Sequence, residues 1–408
     1  MLKFKKNHYT IEEVTLCGET VRFRAFRDLV YVEKPVNVEF QKMNLFVPES
    51  YYEGTSINGY DLLSAPVFMP NTVGGYMPGP ADEPGANPFL QGKPNTIFRA
   101  LQHGYVVASP AIRGRVQKGE DGHYNGKAPA CVVDYKAPAC VVDYKAAVRY
   151  LHFLADELPG DENKIITNGT SAGGALSSLM GSTGNHPDYE PYLQALGAAD
   201  AGDDVFAASC YCPIINLEHA DMAYEWEFCG VNDFHRANMK MDEGGRPVFT
   251  PVDGEMTEEQ IRVSVEEKAL FPAYVKDITR MKTAPAFDAL DLESPENDLF
   301  GNEMTNCRHF TEYSAANTKV QGERAEKKIV KMLNPMEYVM DEMAQKAHHF
   351  RIRHGECDRD TSLVISAMLV LKLREAGCEV DYHSPWNTPH AGDYDLDELF
   401  AWIDGICG

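Results

Sequence analysis

The chain contains no run approaching the roughly 18 apolar residues that a membrane-spanning helix requires. A helical membrane protein is therefore excluded. Its ten cysteines include no CxxC pair. Cys210 and Cys212 stand one residue apart, a spacing that offers no zinc site. Several cysteines lie in apolar runs such as AASCYC and read as reduced core residues. Positive charge is scarce: 38 Lys and Arg face 61 Asp and Glu, a net charge of −23. Nucleic acid and anionic membrane are poor partners for such a surface. The N-terminal MLKFKKNHYTIEEV is basic, but no apolar run follows it. No secretory signal is read there, and a cytoplasmic setting is expected.

What is present suits a soluble globular protein. Of 408 residues, 44% are hydrophobic and 24% charged, ordinary for a globular protein. TVRFRAF, QKMNLFV, APVFMP, GYVVASPAI and KIITNGT read as short strands. YKAAVRYLHFLADEL reads as a helix with Ala147, Val148, Leu151, Leu154 and Ala155 on one stripe, stopped by Pro159-Gly160. After FAASCYCPI the pattern changes to polar, Met-rich sequence with helical pieces such as MTEEQIRVSVEEKAL. Strand and helix alternation then returns with HHFRIRHG, TSLVISAMLVLKLREAG ending at Gly377, CEVDYHSP and DYDLDELFAWID. The expected fold is α/β: a mostly parallel sheet with helices on both faces. The expected division is a core of 1–215 and 342–408, interrupted by an inserted lid over 216–341.

One tandem repeat stands out. KAPACVVDY occurs twice without a gap, over 127–135 and 136–144. Nine residues at about 100° each turn a helix by half a revolution relative to its face. Both copies therefore cannot lie on one amphipathic helix, and Pro138 adds a missing donor and a clash one turn back. The second copy is expected to start the helix, with Pro138 near its first position. The first is expected to bulge as a connection between Gly126 and Lys136. Two copies are too few for a solenoid, so the repeat reads as a tolerated local duplication or a sequence-level error.

The chemistry centres on Gly169-Thr170-Ser171-Ala172-Gly173, a GxSxG between a strand and a small-residue helix. Glycines on both sides leave room for a strained elbow that exposes the serine hydroxyl. A serine nucleophile needs a base, and the base an orienting acid. In α/β-hydrolases these follow in the order Ser, acid, His. The loop after HHFRIRHG supplies Asp358 and Asp360, and pattern alone does not choose between them. The loop after CEVDYHSP supplies His390. Asp393 and Asp395 are expected to begin and cap the last helix. For the oxyanion, the N–H of Ala172 is one expected donor. A second is expected from the turn Asn71-Thr72-Val73-Gly74-Gly75-Tyr76, at Gly75.

With these loops in place, the chain resembles the bacterial tannases of the α/β-hydrolase superfamily. The similarity runs through PNTVGGYMPG, GTSAGGALSSLMGSTGNHPDYEPYL, FAASCYCPIINLEHADMAYEW, MKTAPAFDALDLESPENDLFG, IRHGECDRDTSL and WNTPHAGDYDLDELFAWID. The resemblance implies a triad of Ser171, Asp358 and His390. It also implies that Lys282 and Glu296 join Asp360 in binding the phenolic hydroxyls of a galloyl ring. Pattern alone would make Lys282 and Glu296 a solvated pair on a polar lid. Fungal tannases carry cysteines beside the serine and the histidine; here Thr170, Pro389 and Ala391 stand there. The implied activity is hydrolysis of galloyl esters, small phenolic molecules, with no metal or cofactor. A feruloyl or chlorogenate esterase, a catalytically dead polyphenol-binding homologue and a peptidase stay open as alternatives.

Overall fold

A computed structural model describes residues 2–88, 92–115, 137–228, 230–241, 247–267, 279–302 and 305–408. Eleven strands are described. β1 is Thr10–Leu16, β2 Glu19–Val30, β3 Lys42–Pro48, β4 Pro66–Pro70, β5 Val106–Pro110 and β6 Asp161–Thr170. β7 is Ala207–Tyr211, β8 Asp233–Met241, β9 Pro247–Glu255, β10 His349–Arg353 and β11 Glu379–His383. Nine of them form one sheet in the order β1-β2-β3-β5-β4-β6-β7-β10-β11. The three pairings among β1, β2, β3 and β5 are antiparallel. From β5 to β11 every pairing is parallel. This is the expected α/β architecture.

The residue types explain which strands are central. PVFMP, VVASP and AASCY are buried at every position in β4, β5 and β7. Strands covered on both faces by helices need such continuous runs. TIEEVTL of β1 instead alternates between exposed and half-buried, as a charged edge strand should. β1 was not among the strands expected from sequence, because its apolar residues are too sparse.

The helix after β6, Ala172–Ser182, is buried along its whole length. Its small residues are a packing requirement. A Cβ on Gly174 would lie 2.5 Å from the Tyr211 carbonyl oxygen, and one on Gly181 2.7 Å from the Phe350 ring. The last helix, Leu396–Cys407, buries Leu399, Phe400, Ile403 and Cys407 on one face. The helix Leu363–Glu375 ends as expected, with Gly377 in the left-handed region at φ +81, the usual helix stop.

The helix of the repeat spans Ala139–Phe153, and Pro138 is its N-cap, one residue before the expected position. It is buried on nearly every side from Ala139 to Leu151 rather than along one stripe. The reason is the charged side chains, which find partners inside. Asp143 accepts from Arg113, and Lys145 and Arg149 share Asp203. Paired charges can be buried where lone ones cannot. The first copy of KAPACVVDY lies outside the described residues.

Between β7 and β10 the described residues add no strand to the sheet. They form a separate hairpin of β8 and β9, which the sequence had not suggested, and short helices. These include Leu217–Phe228, Glu258–Glu267 and Pro295–Leu299.

Candidate active site

The parallel strands bring three loops to one end of the sheet. β6 leads into Ser171, whose backbone stands at φ 60 and ψ −121. A non-glycine residue there is strained. The surroundings hold it: Ser171 N–H donates to the Tyr211 carbonyl at 2.9 Å, and its own carbonyl accepts from Ala175 N–H at 2.9 Å. The flanking glycines are needed for space. A Cβ on Gly169 would lie 2.3 Å from the Gly173 carbonyl oxygen, and one on Gly173 2.6 Å from Asn71 Oδ1. Asn71, which sequence reasoning had treated only as turn, ties the elbow together. Its side-chain amide donates to the carbonyls of Asn168 and Gly173, at 3.0 and 3.1 Å.

The other two loops interlock. A Cβ on Gly355 would sit 2.1 Å from the Thr388 carbonyl oxygen. Cys357 N–H donates to Thr388 O at 3.0 Å, and Glu356 N–H to Pro385 O at 3.1 Å. This contact delivers His390 to Asp358. His390 Nδ1 stands 2.7 Å from Asp358 Oδ2. Asp358 is buried, and its other oxygen accepts from Asp360 N–H and Thr361 N–H at 2.8 and 3.0 Å. Burial pushes the Asp358 carboxyl up, but the facing His390 and these bonds overcome it and hold it at about 2. On His390 the balance is the converse: burial lowers it, and the Asp358 carboxylate raises it well above the usual histidine value. The structure thus separates the two acids that pattern left open. Asp358 holds the ring, while Asp360 Oδ2 lies 3.7 Å from Nε2 on the opposite edge.

A second histidine backs Asp358. His354 Nε2 lies 3.0 Å from the Thr361 carbonyl and 3.3 Å from Asp358 Oδ2. A carbonyl only accepts, so Nε2 carries the proton and Nδ1 accepts from the Ser366 hydroxyl at 2.8 Å. Burial keeps this ring's pKa below the usual value. The remaining neighbour of His390 is Cys212, with Sγ 3.9 Å from Nε2. Cys212 is a free thiol. Among the described residues no hydrogen bond joins Ser171 Oγ to His390, and no disulfide links the loops.

Gly75 and Tyr76 follow β4 with successive left-handed backbones, φ 54 and 55. The Gly74 carbonyl accepts from Met77 N–H at 2.9 Å. The peptide is planar and trans, so the N–H of Gly75 points to the opposite side. Among the described residues neither that N–H nor that of Ala172 has an acceptor. An oxyanion requires two such unengaged donors; one stands on the residue after the strained serine and the other on the turn after β4.

The inserted segment places the other expected residues. Lys282 Nζ is 3.3 Å from Asp360 Oδ1 and 3.8 Å from the centre of the Phe287 ring. Glu296, on the helix Pro295–Leu299, is buried; burial raises its pKa, and Lys282 partly offsets this. Tyr224, missed at the sequence level, joins the two sides. Its hydroxyl donates to Arg359 O at 2.6 Å and accepts from Met281 N–H and Lys282 N–H at 2.9 and 3.0 Å. Beside it the buried Arg280 pairs with Glu225 and donates to the Lys282 carbonyl at 2.6 Å. We expect Tyr224→Phe to cost roughly 1–3 kcal/mol of stability, because one buried carbonyl and two N–H groups lose their partner. Chemical denaturation measures this; an unchanged midpoint would show that the hydroxyl bonds are dispensable.

Asp393 and Asp395 differ from expectation. Asp395 occupies the N-cap of the last helix, but its side chain makes no cap bond. It pairs instead with Arg351 and Arg353 of β10 and accepts from Tyr211 at 2.6 Å. Asp393 turns inward to Thr96 and Asn168. Two buried arginines on a central strand outcompete a helix end for a carboxylate, because their unpaired charge would be costlier.

Similarity to known proteins agrees with this architecture. The α/β-hydrolase family described as BD-FAE matches residues 128–224, which include the serine elbow. No curated protein matches the chain. Among solved structures, a tannase from Lactobacillus plantarum is 40% identical over 99% of both chains, with a TM-score of 0.92. The tannase of Fusobacterium nucleatum is 38% identical over 100% of both, with a TM-score of 0.90. A tannin acyl hydrolase solved in complex with ethyl gallate is 40% identical over 99% of this chain and 98% of that one, with a TM-score of 0.89. Identity at this level over the full length, on the same sheet and insertion, places the chain in the bacterial tannase family of α/β-hydrolase carboxylic ester hydrolases.

Proposed function

We propose that the protein hydrolyses galloyl esters to gallic acid through an acyl-enzyme on Ser171. The observation that carries this reading is the cluster of Lys282, Glu296 and Asp360 beside Asp358 and His390. Gallate carries three adjacent hydroxyls. An ammonium and two carboxylates offer that row both donors and acceptors.

In the first step His390 Nε2 takes the Ser171 proton as Oγ attacks the ester carbonyl. Asp358 keeps the proton of the neutral ring on Nδ1, so that Nε2 is free to accept. The N–H groups of Gly75 and Ala172 hold the oxyanion. The imidazolium then protonates the leaving alcohol, and water repeats the sequence to release gallate. The serine–histidine bond forms with substrate in place, a common tightening from the free enzyme. The complex of a related tannin acyl hydrolase with ethyl gallate supports the same substrate class.

Ferulate is the discriminating competitor. It places two vinyl carbons between carbonyl and ring and a methyl on one phenolic oxygen. It would leave buried polar groups here unpaired, which sites of this kind reject strongly. We expect kcat/KM for methyl gallate to exceed that for methyl ferulate by about 10²-fold or more. A preference for ferulate would refute the galloyl assignment while leaving an esterase. Absence of multiple turnover with either ester would indicate a binding protein.

A further inference from the structure

Arg115, on the loop after β5, lies between the two halves of this site. Arg115 Nε–H donates to the Gly75 carbonyl at 2.8 Å. Arg115 Nη1–H binds Asp298 Oδ2. Asp298 sits two residues from Glu296 on the helix Pro295–Leu299. Both partners are well shielded, with the Arg115 side chain 16% and that of Asp298 12% exposed. The main chain joins in: Arg115 N–H donates to Tyr76 O at 2.9 Å, and Ala137 N–H donates to Leu299 O at 3.1 Å. The core therefore grips the turn holding Gly75 and the helix holding Glu296 from one place.

We infer that Arg115 is a positioning residue that locks the oxyanion turn to the Glu296 helix, coupling carbonyl activation to recognition of the acyl ring. The physical case rests on two features. Tyr76, a non-glycine residue next to Gly75, holds a left-handed backbone at φ 55, which persists only when its surroundings over-determine it. The Gly75 carbonyl is the acceptor of the peptide that follows the expected oxyanion donor, so pinning it sets the torsion between the two. The guanidinium presents its donors in a rigid fork. Nε and Nη1 thus fix the spacing between turn and helix, which a flexible ammonium does not. The same positive charge faces Glu296 and favours its carboxylate against burial.

The inference rests on the galloyl reading only through its binding arm. The test uses Arg115→Ala, Arg115→Lys, Asp298→Asn and the double variant Arg115→Ala/Asp298→Asn. Two esters are used: methyl gallate and p-nitrophenyl acetate, which has no acyl ring. Arg115→Ala should lower kcat on both esters by about 10–100-fold, less than deleting an oxyanion donor outright. It should also raise KM for methyl gallate about tenfold, the scale of a small misplacement. Asp298→Asn should raise KM for methyl gallate while keeping kcat for p-nitrophenyl acetate within twofold. Arg115→Lys keeps the charge facing Asp298 and Glu296 but not the fork, so it should hold KM for methyl gallate closer to wild type than Arg115→Ala does, without restoring kcat. On methyl gallate the double variant should match Arg115→Ala, because both substitutions break one link.

A loss of stability alone would move neither kcat on the acetate nor the split between the two parameters. Unchanged kcat on p-nitrophenyl acetate in Arg115→Ala overturns the inference. So does strict additivity in the double variant. Should Arg115→Ala not fold, Arg115→Lys and Asp298→Asn still decide it: equal effects on both esters would overturn it. If the wild-type enzyme fails to prefer gallate, the galloyl reading falls, yet the acetate arm still tests the turn.

Discussion

Ser171→Ala is expected to lower kcat on methyl gallate by about 10⁶-fold, the scale seen when a serine nucleophile is removed from such a triad. The fold should survive intact. Alanine keeps the Cβ, the backbone bonds to Tyr211 and Ala175 do not involve the side chain, and Ser171 Oγ has no hydrogen bond to His390 to lose. A stability change within about 0.5 kcal/mol is expected. Release of gallate under multiple-turnover conditions measures the effect. Residual activity above a thousandth of wild type would remove Ser171 as nucleophile.

Asp358→Asn should lower kcat by about 10⁴-fold. The carboxylate accepts from Nδ1 at 2.7 Å. An amide in its place can present N–H to Nδ1 and so leave the ring proton on Nε2, where it blocks Ser171. Asp360→Asn does not touch Nδ1 and should spare the tautomer. Its damage should fall on gallate binding through Lys282. A comparable loss of kcat on p-nitrophenyl acetate in both variants would dissolve the distinction between the two acids.

The pair also sets pH behaviour. Asp358 is held at about 2, below its ordinary 3.8. A depressed carboxyl stabilises the fold above its ordinary value, and that contribution is lost as pH falls from there through about 2. His390 is shifted the other way. A raised histidine contributes stability that is fully present below about 6.5 and lost as pH rises through its folded value. Catalysis needs the opposite state, the neutral ring. The acid limb of kcat/KM should therefore lie above the ordinary histidine value of about 6.5. In Asp358→Asn the limb of the residual activity should move down. A wild-type limb at or below 6 would show that Asp358 does not raise His390 in the working enzyme.

Much of this was legible in the residues. Continuous apolar runs marked β4 and β5 as buried strands of a mostly parallel sheet, and GxSxG between strand and helix located Ser171. Local pattern succeeds there because the cause is local: strand burial and elbow sterics are properties of a few consecutive residues. Gly355 could have been found the same way, since glycine where a loop continues from a strand signals close backbone approach.

Other features depend on groups far apart in the chain. Whether Asp358 or Asp360 holds His390 was open in the sequence, because both lie on one loop; the hydrogen bonds between that loop and Thr388 decide it. Asp395 looked like a cap until Arg351 and Arg353 arrived from β10. The nearly full burial of the helix Ala139–Phe153 required Arg113 and Asp203 as partners for its charges. Tyr224 and Arg115 carried no sequence signal, since each bonds to residues far along the chain, 57 positions away for Tyr224 and Met281 and 40 for Arg115 and Gly75. By itself the sequence determined the fold class, the serine elbow and the order of the loops that carry Ser171, Asp358 and His390, because steric and hydrophobic patterns are written in neighbouring residues. Only the tertiary structure decided which charges pair, because a buried charge takes whichever partner the packing of distant segments brings within reach.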